Sequence, residues 1–127
     1  MTQSLNVRKF AGFAFIAAII NSIVFLIAKS SDATMIVNQG GSREIALPMV
    51  LASTLFGLIV AAFIASLIGN KSQGFLTKLP LIGLVFGILT AAAPFSASDD
   101  SKTALALASM HVIAGATWYL GTKRSIN

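Results

Sequence analysis

The sequence contains no cysteine. That excludes disulfide scaffolds, thiol redox chemistry and cysteine-ligated metals. Acid is also scarce: four Asp and Glu residues stand against nine Lys and Arg. All four acids, Asp32, Glu44, Asp99 and Asp100, lie outside the apolar runs. A small multidrug exporter of this length needs a membrane-embedded carboxylate for proton coupling, and none is present. Charged residues make up only 10% of the chain, where a soluble domain carries about 25%. So few charges cannot coat a water-facing surface. The net charge of +5 would point to nucleic acid only if the basic residues formed a patch. They flank apolar segments instead, so membrane topology explains them and no nucleic-acid partner is expected.

What is present is hydrophobic: 56% of 127 residues, with a mean hydropathy of +0.86. There is room for one integral membrane domain, residues 1–127. Four apolar runs are evident, at 10–28, 48–68, 76–93 and 103–120, each near the 20 residues one crossing requires. The expected fold is an all-α, four-helix transmembrane bundle. The first run competes with a secretory signal, but it is long for a signal core, and a retained crossing is expected. In the loop between the first two runs, Thr34 to Val37 has β-propensity and Asn38 to Gly41 is turn chemistry. Arg43 to Ile45 can return as a short β-hairpin, with an irregular loop as the alternative. Pro48 suits the first turn of the second helix. Pro80 lies at or just inside the start of the third. Asp99 and Asp100 suit the N-terminus of the fourth, which Gly121 is expected to end. Trp118 and Tyr119 fit an interfacial aromatic belt.

Four crossings put the N-terminus, the 71–78 linker and the C-terminus on one side. That side carries Arg8, Lys9, Lys71, Lys78, Lys123 and Arg124, and no acid. The other carries Lys29, Arg43 and Lys102 with every acid. The positive-inside rule then places both termini in the cytoplasm of a bacterial inner (plasma) membrane.

Lipid is as apolar as leucine, so helices associate through close backbone approach and polar contacts. Small residues at four-residue spacing mark the candidate packing faces: Gly57 and Ala61 within a row from Ser53 to Gly69, and the Gly83–Gly87 pair; on the fourth helix Ala108 is followed by His111 and Gly115 at spacings of three and four. Whether Gly83 and Gly87 face inward or make a dimer contact is open.

The candidate intramembrane polar site comprises His111, Asn21, Ser22, Ser53, Thr54 and Thr90. His111 is the only histidine, set in the apolar fourth run. It can tie helix four to a neighbour as a buried neutral imidazole, which is the expectation, or handle a proton or ligand. Without a carboxylate or cysteine partner it makes a poor metal site. Ser109 is two residues away and on another helical face, so no nucleophile–base pair forms. No catalytic residue, cofactor or metal is expected. Arg43 and Glu44 are read as solvated charges, or as an outer-loop surface for a partner.

The Thr90-Ala-Ala-Ala-Pro94 ending of helix three and the Leu105-Ala-Leu-Ala-Ser-Met-His-Val-Ile-Ala-Gly115 run resemble a family of small four-helix bacterial membrane proteins, domain of unknown function 6069. The likeness extends loosely over nearly the whole chain. The family often has serine where Thr90 or Ala91 stands, and the chain departs mildly there. The resemblance implies the four-crossing layout and singles out His111; it implies no activity. The leading expectation is a small non-enzymatic structural or accessory membrane protein that binds lipid or partner proteins, in a homo-oligomer or larger membrane complex or alone. The alternative is a small-molecule or proton-handling, transport-like protein with a midplane pocket around His111 and Asn21.

Overall fold

A computed structural model describes residues 2–127. Its elements in chain order are α1 (Val7–Ser30), β1 (Ile36–Asn38), β2 (Ser42–Glu44), α2 (Leu47–Gly69), α3 (Gln73–Thr90), α4 (Ala93–Ala97) and α5 (Ser101–Ser125). Four helices, counting α3 and α4 as one stretch, are long and apolar enough to cross a membrane. Their outward faces carry large apolar side chains such as Phe15, Ile19, Phe63, Phe86 and Leu89. On a soluble protein such surface would be a liability; in a bilayer it faces lipid.

Helix starts follow local chemistry. The Asn6 side chain accepts from the Lys9 amide to cap α1, and Ser72 accepts from the Phe75 amide to cap α3. The third helix therefore begins before Phe75, earlier than expected. Pro80 is buried inside it, where it removes one backbone donor toward Leu76. After Thr90 the chain continues into a short helix around Pro94. At the other end, α5 runs through Gly121 to Ser125. The expected stop at Gly121 fails because that glycine is a contact, not a cap. A Cβ there would lie 2.9 Å from the Phe10 ring and 3.0 Å from Phe13 Cβ. Helix packing on α1 outweighs the roughly 1 kcal/mol that glycine costs a helix interior.

The packing order is uneven. α1 and α5 form a central pair, α2 packs along α1, and α3 packs along α5, whereas α2 meets α3 and α5 only sparsely. Two apolar clusters result. One, near the chain termini, contains Leu5, Phe10, Ala62, Leu76, Leu79 and Trp118. The other, near the hairpin, contains Phe25, Met35, Val50, Ala106 and Met110. Trp118 turns inward rather than toward lipid. It is buried, edge-on to Phe10 at 5.2 Å between centroids, and its indole N–H donates to the Leu79 carbonyl at 3.0 Å. Gly83 makes the room, since a Cβ there would overlap the Trp118 ring. Leu5 bridges to Ile126, and Gln3 exchanges hydrogen bonds with Gln73. Both ends of the described chain and the α2–α3 turn thus sit at one end of the bundle.

The opposite end is closed by the β1–β2 hairpin, an antiparallel pair with Ile36 opposite Glu44 and Val37 opposite Arg43. Gly40, at φ 71°, supplies the left-handed turn residue. Asp100 caps α5 and reaches across to the loop. It accepts from the Thr103 hydroxyl at 2.7 Å and from the Thr34 amide at 2.9 Å. Thr103 Oγ1 in turn accepts from the Met35 amide at 2.8 Å. These bonds hold the Asp100 carboxyl down to about 2, the Thr103 hydroxyl contributing most and the Thr34 amide next. Ser98 donates to the Ile36 carbonyl at 2.8 Å, and Lys102 to the Ser31 carbonyl at 2.7 Å. The hairpin is therefore lashed to the α4–α5 turn.

Candidate functional site: a cleft between the second and third helices

Because α2 leans on α1 and α3 on α5, a gap separates α2 from α3. Its floor is α5. A 540 Å³ cavity fills the gap toward the termini end, walled by Gly57, Ala61 and Ile68 on one side and Phe75, Leu79 and Phe86 on the other. A second cavity of 320 Å³ lies toward the hairpin and reaches Asn21, Met49 and Arg43. The two share Ser53, Thr54, His111 and Ala114, so they adjoin at the level of His111. Both volumes fall in the range of ligand sites, roughly 300–1,000 Å³.

The α3–α5 side of the cleft is tight. A Cβ on Gly87 would stand 2.7 Å from Gly115 Cα and 2.9 Å from the His111 carbonyl oxygen. The Gly83–Gly87 pair thus faces inward, onto α5. Ala108 is buried as well. Gly57 and Ala61 behave differently. Gly57 is exposed, with nothing within 4 Å of where a Cβ would sit, and Ala61 is exposed beside it. These two residues line the cleft and make no helix–helix contact through it. α2 meets α1 with an adjacent face that includes Val50, Ala62 and Ser66.

The polar residues divide in the same way. His111, expected as a buried tie, is exposed at the junction of the two cavities. Its one polar neighbour is Thr90, with Oγ1 at 3.5 Å from Nδ1. Thr90 already donates to the Phe86 carbonyl at 2.8 Å, so toward His111 it can only accept, at the outer limit of hydrogen-bond length. The tie across the bundle belongs to Asn21. That side chain is 2% exposed. Its Nδ2 donates to Thr54 Oγ1 of α2 at 3.2 Å and to the Met110 carbonyl of α5 at 3.4 Å, linking three helices. Its Oδ1 is buried without a partner, a state that costs about 1–3 kcal/mol. Ser22 and Ser53 donate back to Ala18 and Met49 in their own helices. Of the six candidate polar residues, Ser22 alone does not line the cleft.

The outer-loop pair also separates. Glu44 bonds Lys29 at 3.2 Å, the one salt bridge among the described residues. Arg43 lines the smaller cavity without an acidic partner among them. Sequence reasoning missed this role for Arg43. The signal available was its place opposite Val37 in a hairpin of fixed register, which sets the face it points from but not what lies beneath.

The arrangement offers one cationic mouth, a polar neck of Asn21, Thr54 and His111, and an apolar lower half. No curated protein and no solved structure matches the chain. The family comparison reaches nearly every residue: the model of a family of unknown function (DUF6069) matches residues 2–127, and the chain belongs to that family.

Proposed function

We propose that the protein is a non-enzymatic multi-pass protein of the bacterial inner membrane that binds a small apolar or amphipathic molecule, drawn from the bilayer, in the cleft between α2 and α3. The single observation that carries this reading is the pair of adjoining cavities that meet at His111, which leaves the imidazole reachable rather than packed. The non-enzymatic part rests on the site's content. His111 has neither a carboxylate nor a thiol beside it, and Ser109 donates to the Leu105 carbonyl in its own helix.

Native mass spectrometry of protein purified in mild detergent tests the binding. Wild-type protein carries a bound small-molecule or lipid mass, and Ala61→Phe, which fills the cleft from α2, loses it. An identical set of adducts on both proteins would sink the reading. Orientation is proposed with both termini cytoplasmic, supported by Arg8, Lys9, Lys71, Lys78, Lys123 and Arg124 gathered at the termini end. A cytoplasmic reporter fused to the C-terminus is active in this arrangement and a periplasmic one is not; the reverse result overturns it.

A further inference from the structure

We propose that the occupant of the cleft is an acidic phospholipid, its phosphate at Arg43 and one acyl chain lying along α2 past His111. This rests on the reading that the cleft binds a molecule of the bilayer, and it adds the chemistry of that molecule.

Three observations point to an anionic amphiphile. The first is polarity along the cleft. The hairpin-end cavity has Arg43, Asn21 and Thr54 in its wall, whereas the termini-end cavity is walled by Ile64, Ile68 and Phe75. A molecule that satisfies both halves has a charged end and a long apolar end. The wall from Ser53 to Ile68 is about 22 Å long at 1.5 Å per helical residue. That exceeds half of a hydrocarbon core of about 30 Å, so a short apolar ligand would leave part of it empty.

The second is charge. No Asp or Glu lines either cavity. Glu44, the acid next to Arg43 in sequence, is held by Lys29. Arg43 therefore lines this cavity with no side-chain partner among the described residues, and the fork geometry of a guanidinium suits a phosphate. The third is the Asn21 side chain, buried in the wall of the same cavity with Oδ1 unpartnered. Arg43 and Asn21 together set the polar end of the occupant at the hairpin end of the cleft.

Trp118 gives a direct readout, because it is the only tryptophan and lines the lower cavity. The full chain is reconstituted in phosphatidylcholine vesicles containing a small fraction of either phosphatidylglycerol or phosphatidylcholine with brominated acyl chains. Bromine on a chain in the cleft quenches Trp118 fluorescence. Wild-type protein is quenched several-fold more by the brominated acidic lipid than by the neutral one. Arg43→Gln removes that preference, and Arg43→Lys keeps most of it. Ala61→Phe lowers quenching by both lipids. If Arg43→Gln retains the full preference while Ala61→Phe still abolishes quenching, the headgroup assignment fails and the cleft reading survives. If Ala61→Phe leaves quenching by both lipids unchanged, the cleft reading itself fails. If neither lipid quenches the wild-type protein and single-molecule photobleaching shows dimers, a second copy covers the cleft and the lipid assignment is overturned. Arg43 lies on the exposed hairpin, so its variants leave the helix packing intact.

Discussion

The interface between α3 and α5 and the gap between α2 and α3 are built from the same kind of sequence. Both have small residues at four-residue spacing: Gly83, Gly87 and Ala91 on one side, Ser53, Gly57 and Ala61 on the other. In the first, glycines meet glycine backbone to backbone, and a Cβ on Gly115 would lie 3.1 Å from Gly87 Cα. In the second, Gly57 faces open space. The difference teaches that a small-residue row is a permission rather than an instruction. It lets something come close, and the helix arrangement decides whether that is another backbone or a ligand.

Substitution at matched glycines separates the two most sharply. Gly87→Leu drives a side chain into the Gly115 and His111 backbone. It is expected to cost about 3 kcal/mol or more, at the upper end of overpacking penalties, or to prevent folding outright. Gly57→Leu at the open face should be neutral or stabilising, by up to about 1 kcal/mol. Thermal unfolding in detergent compares them, and equal losses would show that the cleft closes in the folded protein.

Asn21 joins the closed half to the open one, because it bonds α2 and α5 from α1. Asn21→Ala should destabilise by about 1–2 kcal/mol, near the upper end of measured interhelical bonds in membranes. A double-mutant cycle with Thr54→Ala should show that the effects do not add. Full additivity would mean that the bond carries no energy.

The hairpin cap should respond to pH in a defined window. Its Asp100 carboxyl titrates at about 2 rather than at the 3.8 of a free aspartate. A depressed folded-state value contributes stability that is complete above the unfolded value and lost as pH falls from about 4 toward 2. Hydrogen-exchange protection of the Thr34 and Met35 amides, measured against their intrinsic rates at each pH, should therefore be high at neutral pH and fall through that window. Asp100→Ala should show low protection at every pH, and high protection in that variant would assign the cap to other contacts.

The smallest effect is expected at His111. With one 3.5 Å neighbour and an exposed ring, His111→Ala should change stability by less than about 0.5 kcal/mol. A large loss would restore the imidazole to the structural role expected from sequence.

Much of the architecture was legible in the chain. The four apolar runs stand out because a crossing needs about 20 residues without charge. The hairpin was signalled by β-branched residues around Asn38-Gln39-Gly40-Gly41, since glycine takes the positive φ that the turn demands. Other features were not legible. His111 drew attention as the rare ionisable residue of its helix, yet Asn21 makes the cross-bundle bonds. A polar residue's rarity says that it needs a partner or a wet surface, not which one it finds. Trp118 near a helix end reads as an interfacial anchor. It is buried because Gly83, distant in sequence, leaves a hole for its ring. Arg43 reads as a solvated loop charge until the hairpin brings it to the wall of the smaller cavity.

By itself the sequence determined the number of apolar helices, their even parity and the chemistry of their ends, because each depends on residues close together in the chain and on the thickness of hydrocarbon. Only the tertiary structure decided which small-residue face would be filled. A glycine or alanine lowers the cost of close approach equally for a helix, an acyl chain or empty space. The choice falls to the central α1–α5 pair, which takes α2 on one side and α3 on the other and leaves the cleft between them.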